Sequence, residues 1–152
     1  MPVPLQFMMG EYQALIPIDR RYFRNHMWFQ MSPEANTGRV GLTSYAIRLL
    51  QDVYFLDWTI DPQTQVVLKQ EIGEIESSKA VSSIFAPAAG LIHDFNPALM
   101  QDPSLINGDN YSTGWMFHFE TQVETMSAEE YAAHLSGSWE ETQRVLKGQY
   151  NA

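Results

Sequence analysis

In the run VVLKQEIGEIES, residues 66–77, apolar and polar positions alternate toward a lysine at position 79, and KAVSSIFAPAAGLIHDF, residues 79–95, leads away from it. Alternation with a period of two predicts half-buried strands. Upstream, YFRNHMWFQM (22–31) and RVGLT (39–43) flank the turn cluster SPEANTG (32–38), which predicts a hairpin over 22–43. DVYFLDWTI (52–60) predicts another strand, DPQTQ (61–65) a turn, and GWMFHFE (114–120) a last strand. SYAIRLL (44–50) has mixed spacing and is read as a short helix or turn. NPALMQDPSLINGDN (96–110) is a long, turn-rich crossing. Short strands separated by turns every roughly eight to twelve residues predict an all-β sandwich or barrel.

The two ends break that rhythm. Residues 1–21 show no clear period, and Pro2, Pro4 and Pro17 exclude a long helix, so this segment is read as an arm lying on the domain. Downstream, SAEE (127–130) fits a capping box, with Ser127 as N-cap and Glu130 three residues later. SWEE (138–141) repeats the pattern from Ser138 to Glu141, and Gly148 is placed to end a second helix. The expectation is a pair of short helices over 127–148, closing a single domain of 1–152 whose β core is 22–120.

Composition narrows the function classes. Of 152 residues, 45% are apolar and 18% charged, which suits a packed core and not a disordered chain. The net charge of −9 argues against nucleic acid and against an anionic membrane surface. It favours protein partners with basic docking faces. Cysteine is absent, which excludes disulfides, thiolate catalysis and cysteine-held clusters. The start MPVPLQFMMGEY lacks the basic region of a secretory signal, and no apolar run is long enough for a membrane span, so the expected location is cytoplasmic. His26, His93, His118 and His134 lack ligand spacing, so no metal site is expected. No catalytic residues are assigned.

Lys79 is one of three lysines, and its setting is unusual. Ser77, Ser78 and Ala80 beside it are small, Glu76 lies three residues before it, and the flanking runs can pair across it. A tethered swinging group needs an amine on a tight turn, small neighbours that a modifying enzyme can grip, and an acidic residue for register. The bland alternative is a solvated surface lysine.

The segment GEIESSKAVSSIFAPAAGLIHDFN resembles the lipoyl-lysine hairpin of the glycine cleavage H-protein family. HMWF (26–29), VGLTSYA (40–46), LQDVYFLD (50–57) and NPALMQDPSLINGDNYSTGW (96–115) resemble further motifs of that family, in the same order. The resemblance implies a mainly β, lipoyl/biotinyl-type sandwich or hybrid barrel with a lysine hairpin and C-terminal helices. It implies lipoic acid amide-linked to Lys79, and a non-catalytic carrier whose partners do the chemistry. It assigns Glu76, Gly73 and Gly90 to recognition by a lipoate–protein ligase, the glycines by fixing hairpin shape. It makes His26 and Met27 candidates for the groove that holds the arm. A biotin carrier shares the architecture, but normally has Met on both sides of the lysine.

The chain departs from the family pattern at several positions. Met27 stands where the family has Glu, Gln51 where it has Gly, Asn110 where it has Pro, and 58–72 lacks the usual L-P-x-V-G. A methionine suits a soft, sulfur-bearing adduct better than a cationic one. Relatives with such departures include the lipoate-binding proteins of heterodisulfide-reductase-like sulfur oxidation, and HMW (26–28) and the acidic tail resemble that branch, which implies a carrier serving such a complex. The alternative is the glycine cleavage carrier, moving an aminomethyl group among glycine decarboxylase, aminomethyltransferase and dihydrolipoamide dehydrogenase. A second alternative is an unmodified structural or regulatory relative.

Overall fold

The computed structural model describes residues 3–34 and 36–151, with side chains to residue 141. Three antiparallel sheets organise the chain. A two-stranded sheet pairs β1 (Leu5–Met9) with β2 (Tyr12–Ile16). A six-stranded sheet contains β3 (Arg21–Tyr22), β4 (Met27–Met31), β5 (Thr37–Leu42), β7 (Thr64–Val66), β10 (Gly90–Phe95) and β11 (Phe117–Glu120). Its spatial order is β3-β4-β5-β11-β10-β7. A three-stranded sheet, in the order β6-β8-β9, contains β6 (Val53–Trp58), β8 (Glu71–Ser77) and β9 (Val81–Phe85).

Alternation builds the sandwich. Phe29, Val40, Ile92, Phe117 and Phe119 point inward from the large sheet and pack with Leu56, Ile72, Ile75 and Ile84 of the small one. The observed class is therefore the mainly β, lipoyl-domain-like sandwich with a C-terminal helix, as the patterning predicts. Helix α1 (Ser44–Leu50) is capped by Thr43, whose Oγ1 accepts the Ala46 N–H. The crossing after β10 is built from two short helices, α2 (Pro97–Gln101) and α3 (Leu105–Gly108). Asn96 caps α2 through its carbonyl oxygen and donates its amide to the Thr113 and Trp115 carbonyls, both at 2.8 Å.

The ends differ from the sequence expectation. The N-terminal segment lies on the domain as a hairpin: Gly10 turns the chain at φ +66, and Pro4 and Pro17 bracket the strands instead of interrupting them. The predicted strand 22–31 is interrupted, because His26 takes a left-handed φ of +68 between β3 and β4. The tail is one helix, α4 (Ala128–Asn151), which runs through Ser138 and Gly148. The first capping box starts this helix: the Glu130 N–H donates to Ser127 Oγ, and the Ser127 N–H to the Glu130 carboxylate.

These ends build a second core. Ala14, Ile16, Tyr22, Trp28, Tyr45, Tyr131 and Leu135 are all 1% exposed or less. β4 is consequently covered on both faces, with Trp28 turned to the second core and Met27 and Phe29 to the first. Among the described residues no helix is long and apolar enough to cross a membrane.

Candidate functional site

Lys79 stands at the tip of the β8–β9 hairpin. The strands register Glu76 against Val81 and Ile75 against Ser82. Beyond the last pair, the Ser77 N–H donates to the Ala80 carbonyl at 2.9 Å, closing a tight turn. Ser77 is buried, while Ser78, Lys79 and Ala80 are exposed. The buried Ser77 Oγ accepts the N–H groups of Lys79 and Ala80, each at 3.3 Å. This local geometry presents a primary amine on a braced turn, which is what amide attachment of a long acyl arm requires.

The other sequence candidates do not all gather at the tip. Glu76 is half-buried beside it, between Phe55 of β6 and Val81 of β9. Gly73 lies deeper in the sheet: a Cβ there would stand 2.7 Å from the Asp57 carbonyl oxygen and 2.9 Å from the Trp58 ring. Gly90 lies on β10, where a Cβ would stand 2.3 Å from the Glu120 carbonyl oxygen and 2.8 Å from the Phe119 ring. Gly73 permits close packing of β8 against β6 within the hairpin's own sheet, whereas Gly90 permits close packing of β10 against β11 in the other sheet, away from the hairpin.

His26 and Met27 do come together, in a cavity of about 230 Å³ between the hairpin, the start of β4 and α1. Met27, Leu42 and Ile75 give it apolar walls, and Ser82 and Ser83 of β9 add two hydroxyl-bearing residues. Ser82 is three residues along the strand from Lys79, or about 10 Å. Among the described residues, His26 is the one ionisable residue lining the cavity. Burial, with a smaller contribution from His134, lowers its pKa from 6.5 to about 4. The ring is therefore neutral at physiological pH.

The partners of His26 come from α4 and were not found by sequence reasoning. His26 Nδ1 lies 3.0 Å from the Tyr131 hydroxyl, which lies 2.8 Å from Thr43 Oγ1. The His26 ring packs on Tyr45 at 4.6 Å and lies 5.9 Å from the His134 ring. His134 Nε2 in turn bonds the Arg24 carbonyl at 3.2 Å. A signal existed: Ala128, Tyr131, Ala132, Leu135 and Trp139 recur at spacings of three and four, the apolar stripe of a packed helix. The remaining histidines sit outside the groove. His93 bonds Glu120 at 3.1 Å and His118 bonds Asp94 at 2.5 Å, both as exposed cross-strand pairs. Among the described residues no group of side chains could hold a metal ion.

Residues 20–143 match the family model described as glycine cleavage H-protein. The chain belongs to the glycine cleavage H-protein family. It is similar to the glycine cleavage system H protein of Micrococcus luteus, 38% identical over 126 residues, covering 80% of this chain and 98% of the relative. The H protein of Beutenbergia cavernae is 37% identical over 124 residues with the same coverage. The crystal structure of a glycine cleavage system H protein from Mycobacterium marinum superposes with a TM-score of 0.69 at 35% identity, covering 80% of this chain and 99% of that one. Members of this family are non-catalytic carriers of lipoate, so the chain is a carrier and not an enzyme.

These likenesses overturn the sulfur-oxidation reading and, with it, the heterodisulfide-reductase-like complex as partner: the similar proteins are named for glycine cleavage. The structure shows why Met27 misled. Its side chain is only 3% exposed in the groove wall, and its Sδ accepts the Asn25 amide N–H at 3.5 Å. A buried wall methionine fills space and says little about the cargo. Two of the other departures take part in local hydrogen bonds. Gln51 ends α1 at φ +54, with its N–H on the Ile47 carbonyl. Asn110 accepts the Trp28 indole N–H on its backbone carbonyl, as a proline could, but also donates its side-chain amide to the Leu42 carbonyl, which a proline could not do.

Proposed function

We propose that this chain is the lipoyl carrier of a glycine cleavage system, with lipoate amide-linked to Nζ of Lys79. The exposed position of Lys79 on a turn braced by buried Ser77 carries this reading. The residues fit the group: the tip is free on its outer side, and an apolar groove opens about 10 Å along β9. When bound, lipoate would supply the dithiolane that carries the aminomethyl group between glycine decarboxylase and the aminomethyltransferase and is reoxidised by dihydrolipoamide dehydrogenase.

The chain's own residues supply presentation and shelter. Ser77 fixes the turn, and Glu76 with the Gly73-shaped strand β8 gives a lipoate–protein ligase its register, while Gly90 acts only by keeping β10 tightly packed in the opposite sheet. Met27, Leu42 and Ile75 exclude water from the groove, while neutral His26 adds no positive charge that would repel a cationic cargo. The absence of cysteine leaves no protein thiol to exchange with the arm. A cytoplasmic setting completes the proposal.

Incubation with lipoate–protein ligase, lipoate and ATP should raise the intact mass by one lipoyl group, and Lys79→Arg should abolish the increase. The lipoylated protein should then support exchange of labelled carbon dioxide into glycine by glycine decarboxylase. An unshifted mass would leave an unmodified structural or regulatory protein as the reading. A shifted mass without exchange would separate attachment from the pathway.

A further inference from the structure

Three buried or half-buried groups form a chain that ends on the groove wall: Thr43 Oγ1, the Tyr131 hydroxyl and His26 Nδ1, spaced 2.8 and 3.0 Å apart. Thr43 is 1% exposed and Tyr131 0%. Thr43 Oγ1 already accepts the Ala46 N–H at 3.3 Å. Two directions of donation are open. If Tyr131 donates to Thr43, the Thr43 hydroxyl proton has no acceptor in a buried site. If Thr43 donates to Tyr131 and Tyr131 donates to His26 Nδ1, every hydroxyl proton is used. The cost of a buried unsatisfied donor selects the second direction. It leaves His26 Nδ1 unprotonated and the proton on Nε2.

We propose that Tyr131 is a positioning residue for the arm groove: its hydroxyl fixes His26 as the neutral Nε2–H tautomer, so that the groove presents one oriented N–H donor and no positive charge. This makes the C-terminal helix part of the arm site. It deepens the carrier reading and rests on it for the identity of the group being held. The other groups facing His26 agree with an uncharged ring. Tyr45 of α1 packs on it at 4.6 Å, and burial raises the Tyr131 phenol well above its ordinary pKa. His134 of α4, at 5.9 Å, would add repulsion to any protonated form. No carboxylate contributes to the His26 shift. The Tyr131 ring is itself held in place, stacked on Tyr22 with centroids 4.6 Å apart and planes 3° from parallel.

Tyr131→Phe deletes the hydroxyl and keeps the stacked ring, so it tests the hydrogen bond and not the packing. Thr43→Ser keeps the donor and serves as the conservative comparison. The first readout is the nitrogen-15 spectrum of the histidine rings, recorded on the unmodified full-length protein from pH 8 down to 5. The wild type and Thr43→Ser should show His26 with a bare Nδ1, a protonated Nε2 and no titration in that range. Tyr131→Phe should show averaged tautomers and a midpoint moved upward. A protonated Nδ1 in the wild type, or an unchanged spectrum in Tyr131→Phe, would overturn the proposal. The second readout is hydrolytic release of the aminomethyl group from lipoylated, charged protein, expected to be several-fold faster in Tyr131→Phe and unchanged in Thr43→Ser. Equal rates in wild type and Tyr131→Phe would remove the positioning role. If the wild type cannot be lipoylated or charged, the carrier reading fails, and the ring spectra still decide the tautomer.

Discussion

The Ser77 hydroxyl sits beneath the backbone of Lys79: Oγ accepts the Lys79 and Ala80 N–H groups and lies 3.3 Å from the Ala80 carbonyl oxygen. A small residue beside an attachment lysine is thus also a brace. The turn keeps its shape because a buried side chain satisfies donors that the hairpin ladder leaves over.

Ser77→Ala removes that acceptor from a buried position. The expected cost is about 1 kcal/mol, read from the urea midpoint. Ligase-dependent lipoylation should slow as well, followed by intact mass over time. Normal modification kinetics in a destabilised variant would mean that turn shape is not what the ligase reads.

Lys79→Arg should leave stability within about 0.5 kcal/mol, because the side chain is exposed on a turn. The mass should stay unshifted after incubation with ligase. A large stability loss would mean that the Lys79 side chain packs within the fold and not on its surface.

Gly73→Ala and Gly90→Ala should each cost at least about 1–3 kcal/mol by overpacking. Gly90→Ala should cost more, since its Cβ would meet a backbone oxygen at 2.3 Å against 2.7 Å for Gly73. Thermal unfolding of the two variants side by side gives the ranking.

Gln51→Gly should stabilise the protein by about 1 kcal/mol. Gln51 holds a φ of +54 at the end of α1, where glycine carries no Cβ strain. Chemical denaturation would detect the gain, and a loss would show that the Gln51 side chain makes compensating contacts.

Acidification should destabilise the fold through His26. Its folded pKa is near 4 and its unfolded value near 6.5, so between those values the unfolded chain binds more protons. Stability is complete above pH 6.5 and falls as pH drops toward 4, by up to about 3 kcal/mol from this residue. His26→Asn tolerates the left-handed φ of +68 and should flatten that part of the curve relative to wild type.

What the sequence by itself determined was local. The alternation in EIGEIES and the small residues around Lys79 specify a hairpin tip within a dozen positions, because strand period and turn chemistry are short-range properties. The ordered motifs likewise marked the family. The ends were decided by tertiary structure. Prolines in 2–17 rule out a helix, but the β1–β2 pairing is stabilised by the apolar faces of α1 and α4, which no local window contains. A Ser-x-x-Glu pattern reads the same at a helix start and on a helix face, so Ser138 mimicked a cap inside α4. The cargo reading failed for a similar reason, since whether Met27 meets a ligand or fills a wall depends on Asn25 and Ile75 around it. The same holds for the groove's one ionisable residue. His26 and Tyr131 are 105 positions apart, and only packing α4 against β4 and α1 brings the hydroxyl to the ring and removes the water that would otherwise let it charge.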